Sequence, residues 1–90
     1  MKINFRKSIH HELHRSLRKL LIEARKELDL TQRELAKKLS MGYQTIGKIE
    51  SGDRRLDPVE FFEYAKALEL DPSEQLFIIF YEYRNNQKFK

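Results

Sequence analysis

The sequence predicts an all-α domain of five helices. Three observations lead there. Apolar residues recur at spacings of three and four along most of the chain. Three segments open on a helix-capping signature: Thr31-Gln32-Arg33-Glu34, Asp57-Pro58-Val59-Glu60 and Asp71-Pro72-Ser73-Glu74. Between residues 31 and 52, two short helical patterns are split by a break at Ser40-Met41-Gly42. Two short helices joined by a tight turn bury little alone, so they need other helices behind them. The rest of the chain supplies those helices.

Ninety residues make a single domain, 1–90, with a core over about residues 8–83. A chain this short buries a modest core and leans toward self-association. There is no Cys, which excludes disulfides and cysteine-ligated zinc. The apolar run from Phe77 to Tyr81 is closely bounded by polar residues and is too short to span a membrane. The start, MKINFRKS, is basic, but no long apolar run or small-residue cleavage site follows it. The expected location is therefore the cytoplasm. The formal net charge is +4, and it is unevenly spread. Residues 1–28 hold eight basic and three acidic side chains, whereas residues 58–90 hold four basic and six acidic. A basic end favours a polyanionic partner, although the same bias also serves solubility.

Taken in order, residues 1–7 permit a short extended arm, with Lys2, Arg6 and Lys7 available to phosphates. A frayed basic terminus reads equally well. Ser8 can cap a first helix with Ile9, Leu13, Leu17, Leu20, Leu21, Ala24 and Leu28 inward, beginning as late as Ser16. Glu12, Arg15, Arg18, Lys19, Arg25 and Lys26 fall on the opposite, solvated side. His10 and His14 are four apart, but there is no HExxH pattern and no third ligand at a suitable spacing, so no metal site is expected. Thr31 and Glu34 form a capping box, and Leu30 staples onto Leu35. The second helix runs from Gln32 to about Leu39, with Leu35, Ala36 and Leu39 on one face. Met41 plugs the core from the turn. The third helix runs from about Tyr43 to Glu50, carries Ile46 and Ile49 inward, and stops at Ser51-Gly52.

Asp57 caps a fourth helix with Pro58 in its first turn. Val59, Phe62, Ala65 and Leu68 are expected inward, with Phe61 and Tyr64 at the flanks. The fifth helix starts at Pro72 and reaches Tyr83, followed by a loose polar tail from Asn85. It carries two apolar stripes, one of Leu76, Phe80 and Tyr83 and one of Phe77, Ile78 and Tyr81. One stripe can face the core. The other, Phe77, Ile78 and Tyr81, is expected at a dimer or partner interface unless the first helix wraps round to cover it.

Residues 30–52 closely resemble the helix-turn-helix of the phage-repressor family, the lambda C1 and Cro type also called XRE. The matching features are Thr31-Gln32, Glu34-Leu35-Ala36, Ile46 and Ile49-Glu50-Ser51-Gly52. Residues 56–76 resemble the family's closing helices through Ala65-Lys66-Ala67-Leu68, Asp71-Pro72 and Leu76. The resemblance spans about residues 17–76 and implies a compact five-helix lambda-repressor-like domain. Two departures stand out. Ser40 occupies a turn position where Gly is common, and Gly42 caps the third helix where Ser or Thr is common.

The resemblance implies a sequence-specific, double-stranded-DNA-binding transcriptional regulator whose third helix enters the major groove. Its N-terminal residues Tyr43, Gln44 and Thr45 would then meet the bases. Gln44 can pair bidentately with adenine, and Lys48, one turn on, can reach guanine or a phosphate. Gly47 keeps the face between them shallow. The resemblance also implies a backbone contact at Gln32, where the helix N-terminus suits a phosphate. Arg33, Ser51, Arg54 and Arg55 are candidates for gripping the same strand. Glu50 reads as structural, bonded to Arg54, Arg55 or loop backbone. A two-fold dimer would read a palindrome as a repressor, although the sequence equally allows an activator. The alternative is an antitoxin-like or adaptor protein that holds a protein partner through its fifth helix, with DNA binding secondary. No glycine-rich phosphate loop or convergent carboxylate–histidine arrangement suggests an enzyme, and no cofactor is expected.

Overall fold

The computed structural model describes residues 12–87, which form five α-helices: α1 (Glu12–Glu27), α2 (Gln32–Leu39), α3 (Tyr43–Ser51), α4 (Pro58–Ala67) and α5 (Pro72–Gln87). The expectations for the basic arm, the Ser8 cap, Ile9 and His10 lie outside the described residues. So does the last part of the tail. Helix α5 runs past the expected Tyr83 and takes in Asn85, Asn86 and Gln87. Asn and Gln are not strong helix breakers, and no Gly or Pro follows to stop the helix.

The capping signatures work as read. Thr31 Oγ1 accepts from the Glu34 N–H at 3.0 Å, and the Thr31 N–H donates to Glu34 Oε1 at 2.8 Å. Asp57 and Glu60 repeat this exchange at 2.8 and 3.0 Å. Asp71 Oδ1 accepts from the N–H groups of Ser73 and Glu74. Each such cap is worth about 1 kcal/mol. Gly42 starts α3 with no side-chain bond, as a glycine must.

Three helix ends share a second device. Asp29, Ser40 and Glu69 all take positive φ, at 56°, 55° and 62°. After each, the next N–H reaches back to the preceding helix: Leu30 to Arg25 O, Met41 to Ala36 O and Leu70 to Ala65 O. This is the Schellman ending. The residue that follows the left-handed turn is apolar in every case, and Leu30, Met41 and Leu70 all pack on the core. Helix α3 ends instead at Gly52, with φ 92°.

The core joins Leu21 of α1, Leu35 and Ala36 of α2, Ile46 and Ile49 of α3, and Phe61, Tyr64, Ala65 and Leu68 around α4. Helix α3 packs on α1 and α2, α4 on α2 and α5, and α5 on α1. Lys38 Nζ donates to Ala67 O at 2.8 Å and ties the end of α2 to the end of α4.

Two inward faces differ from expectation. On α4, Phe61 and Tyr64 are buried, whereas Val59 and Phe62 are 67% and 53% exposed. The expected line 59-62-65-68 advances only in threes and so drifts round the helix. In the buried set 61, 64, 65 and 68, residue 61 is three and four residues from 64 and 65, and 68 is four and three from them, so the set stays on one side. The other line also runs into Lys66, whose Nζ lies 5.6 Å above the Phe62 ring. Burying that line would bury the charge. On α5, Ile79 is the buried residue, with Leu76 beside the core, and Phe80 is exposed. Ile79 and Leu20 both line the groove between α1 and α5, and Ile78 borders it too. Phe80 therefore joins the outward stripe.

The rotated α4 face gives a direct check. Phe61→Ala should cost about 3–5 kcal/mol by cavity formation, and Phe62→Ala less than about 1, as read by urea denaturation. A second check follows from the caps. The Glu34 carboxyl is held below its ordinary value of 4.5 by the Thr31 backbone N–H and then by the Thr31 hydroxyl. That of Glu60 is held down by Arg54 first and the Asp57 backbone next. Depressed carboxylates stabilise the fold above their ordinary pKa, and the contribution is lost as pH falls through the folded value. A Glu34→Gln/Glu60→Gln variant should therefore show a shallower loss of melting temperature below pH 4.5 than the parent.

Candidate nucleic-acid interface

Helix α3 is amphipathic at short range. Ile46 and Ile49 are buried, Thr45 is half-buried, and Tyr43, Gln44 and Lys48 are exposed. Gln44 and Lys48 stand one turn apart on the same outward face. The Thr45 N–H donates to Gly42 O at 3.0 Å and closes the first turn. The N-terminus of α2 lies beside this face. The Arg33 guanidinium sits 4.0 Å above the Tyr43 ring and joins the starts of α2 and α3 into one surface.

The far end of α3 is fixed by an ion pair. Arg25 Nε donates to Glu50 Oε2 at 2.7 Å and Nη2 to Oε1 at 3.1 Å. Its Nη1 donates to Leu30 O at 2.6 Å. Gln32 Nε2 donates to Glu50 Oε1 at 2.9 Å. Both charged side chains are about nine-tenths buried. The pKa of Arg25 is raised, chiefly by the Glu50 hydrogen bond. This corrects two expectations. Glu50 does not bond Arg54 or Arg55, and Arg25 is not a solvated charge on the outer side of α1. The two partners stand 25 residues apart, so no local spacing links them. Tyr64, fully buried close by, has its hydroxyl pKa raised by burial first and by Glu50 next.

The remaining candidates divide. The Gln32 side-chain amide is engaged with Glu50, which leaves its position at the α2 N-terminus as its route to a phosphate. Ser51 Oγ donates to Lys48 O and so closes α3. Arg54 donates to both Glu60 oxygens, at 2.6 and 3.4 Å, and its backbone N–H donates to Lys48 O. Arg55 is exposed. Gly47 is half-buried, and a Cβ there would meet Gln32 Oε1 at 3.8 Å, so its open side faces α2 as well as solvent.

One residue escaped the sequence reading. The Arg18 guanidinium lies over Gly52, where an added Cβ would come within 2.8 Å of its Cζ. Arg18, Arg54 and Arg55 border a small apolar cleft of about 80 Å³ floored by Leu17, Leu21, Ile49 and Leu56. Position on α1 gave no sign of this, because the contact depends on how α1 crosses the end of α3. Arg33 thus stands at one end of α3 and Arg18 and Arg55 near the other, with exposed Gln44 and Lys48 on the helix itself. Cations at both ends suit the phosphates of a strand, and an amide between them suits a base edge. Among the described residues, no three His, Asp or Glu side chains are grouped to hold a metal ion, and no helix is long and apolar enough to cross a membrane.

Comparisons with known proteins bear on the family and the fold. A helix-turn-helix family profile matches residues 21–75. A solved structure described as an XRE-family like protein from Pseudomonas syringae pv. tomato str. DC3000 superposes with a TM-score of 0.76 at 35% identity, covering 86% of this chain and 94% of that one. No curated protein sequence matches.

The ion pair gives its own test. Glu50→Ala leaves Arg25 largely buried without a carboxylate and frees the Gln32 amide. It should lower stability by about 3 kcal/mol in urea denaturation. A paired Arg25→Met/Glu50→Leu replacement should recover most of that loss.

Proposed function

The chain belongs to the XRE helix-turn-helix family of DNA-binding transcription regulators, and we propose that it is a dimeric repressor reading a palindromic operator through the major groove. One observation carries the reading. Gln44 and Lys48 are exposed one turn apart on a helix whose other side is locked into the core. In this reading α3 is the recognition helix. Gln44 pairs with adenine N6 and N7, Lys48 reaches guanine or a phosphate, and Thr45 and Tyr43 contact the flanking base or sugar. Arg33, Arg55 and Arg18 neutralise phosphates, and the N–H groups around Gln32 hold one at the start of α2. Ser51 and Arg54 act mainly by shaping the loop that presents Arg55. Two copies place two α3 helices about 34 Å apart on one face of the duplex. The exposed α5 stripe of Phe77, Ile78 and Tyr81 is the surface for the second protein chain. Occupying a promoter then blocks polymerase, and no small molecule or cofactor is needed.

The experiment is selection from random duplex DNA, followed by affinity measurement on the enriched site. The expected motif has two-fold symmetry. Gln44→Ala should weaken binding to that site roughly 5- to 150-fold and relax one base position in each half-site. Arg55→Ala should weaken all sequences alike and reduce the salt dependence by about one phosphate per copy. No enrichment by folded protein at low salt would overturn the reading.

A further inference from the structure

Two adjacent residues at the start of α2 reach the two ends of α3. Gln32 bonds Glu50 near the C-terminal end, and the Arg33 guanidinium lies 4.0 Å from the centre of the Tyr43 ring at the N-terminal end. Arg33 is exposed and has no acidic partner among the described residues. Glu34, next in the chain, is engaged by the Thr31 N–H, and Glu50 is engaged by Arg25. The capping box fixes the backbone from which Arg33 projects. Tyr43 is the first residue of α3, and Gly42 before it offers that helix no side-chain cap. The stack therefore ties the first turn of α3 to α2 where a capping side chain is lacking. Tyr43 stays 40% exposed, so the guanidinium covers one face of the ring and leaves the rest open.

We infer that Arg33 is a positioning residue for base reading: by stacking on Tyr43 it sets the ring so that its open side meets a thymine methyl in the major groove. The inference rests on the operator-binding reading above and adds the residue that tunes one base position. A guanidinium is flat and is attracted to the face of an aromatic ring, so the pair favours one arrangement. A tyrosine without that partner at the start of a helix moves among several rotamers. Fixing the ring beforehand matters, because ordering a side chain on binding lowers affinity. Thymine is the base that carries a methyl on its major-groove edge, and an apolar ring surface selects it. Tyr43 precedes Gln44, so this thymine lies beside the pair that Gln44 reads. The N–H edge of the stacked guanidinium is left free for a phosphate. Charge and stack are separable, since a lysine keeps the first and lacks the flat group that makes the second.

The test starts from the site selected out of random duplex DNA. Each thymine of a half-site is replaced in turn by uracil, which lacks only the methyl. Affinities are compared for the parent, Arg33→Lys, Arg33→Ala and Tyr43→Ala, with circular dichroism to show that each is folded. In the parent, replacing the one thymine beside the pair read by Gln44 should weaken binding roughly 4-fold, the effect of burying one methyl. In Tyr43→Ala the same replacement should matter less than about 2-fold. Arg33→Lys should keep the parent's salt dependence and yet bring the uracil effect below about 2-fold, whereas Arg33→Ala should lose both. A full uracil effect in Arg33→Lys or Tyr43→Ala would overturn the positioning role and leave Arg33 as a phosphate-binding cation. A parent indifferent to uracil at every thymine, or one that selects no thymine at that position, would overturn the Tyr43 contact while leaving a sequence-specific regulator intact. No enrichment by folded protein at low salt would overturn the operator-binding reading itself.

Discussion

The contact on which the rest depends is the Arg25–Glu50 pair. Its hydrogen bonds reach α1, the turn after α1, the first residue of α2 and the penultimate residue of α3. A guanidinium holds a carboxylate in a planar fork, which fixes direction as well as distance. Apolar contacts of Ile46 and Ile49 with the core set the depth of α3, and they are less directional than a charged fork. The fork sets direction at the end of α3 far from Gln44. Its net effect on stability is small, because burying both charges offsets much of their attraction. Its effect on orientation is the larger one. The back of α3 is hydrogen-bonded at a defined angle, which sets the direction of its exposed face.

The helix ends carry a related logic. Five helices in so short a chain leave room only for tight connections. The Schellman ending reverses the chain in two residues and returns an apolar side chain to the core. Asp29, Ser40 and Glu69 accept a left-handed conformation that costs a non-glycine residue on the order of 1 kcal/mol. The anchors Leu30, Met41 and Leu70 offset that strain by burial. Ser40 stands where relatives of this fold commonly carry glycine, and the turn keeps its shape because Met41 and the Ala36 carbonyl hold it.

How much of this was legible in the sequence depends on the range of each interaction. The caps at Thr31, Asp57 and Asp71 were, because both partners lie within three residues. The helix count and the inward residues of α2 and α3 were legible too. The face of α4 was not, because Val59, Phe61, Phe62 and Tyr64 offer two apolar lines, and Lys66 decides between them only once its neighbours are placed. On α5 the abundance of apolar residues hid Ile79 in the same way. Arg25 and Arg18 looked like ordinary charges on the polar side of α1. Their roles arise from the crossing of α1 over α3, which no pattern within α1 encodes. Of the candidate DNA contacts, Tyr43, Gln44 and Lys48 are exposed, whereas Arg54 is drawn toward Glu60 by an ion pair six residues long.

Helix α3 thus separates two tasks by side. Ile46, Ile49 and Glu50 hold it in place, and Glu50 reaches the outward side only through the Gln32 amide. Gln44 and Lys48 face outward, and no contact in the core involves them. A change at Gln44 alters what the helix can read without altering how it is held, because the fork at Glu50 lies almost two turns away. The exposed residues of α5 likewise share no position with the exposed face of α3. The exposed residues of α3, the arginines near its ends and the exposed residues of α5 are therefore three separate sets of side chains carried by one core. Each set can vary while the Arg25–Glu50 contact keeps the geometry between them constant.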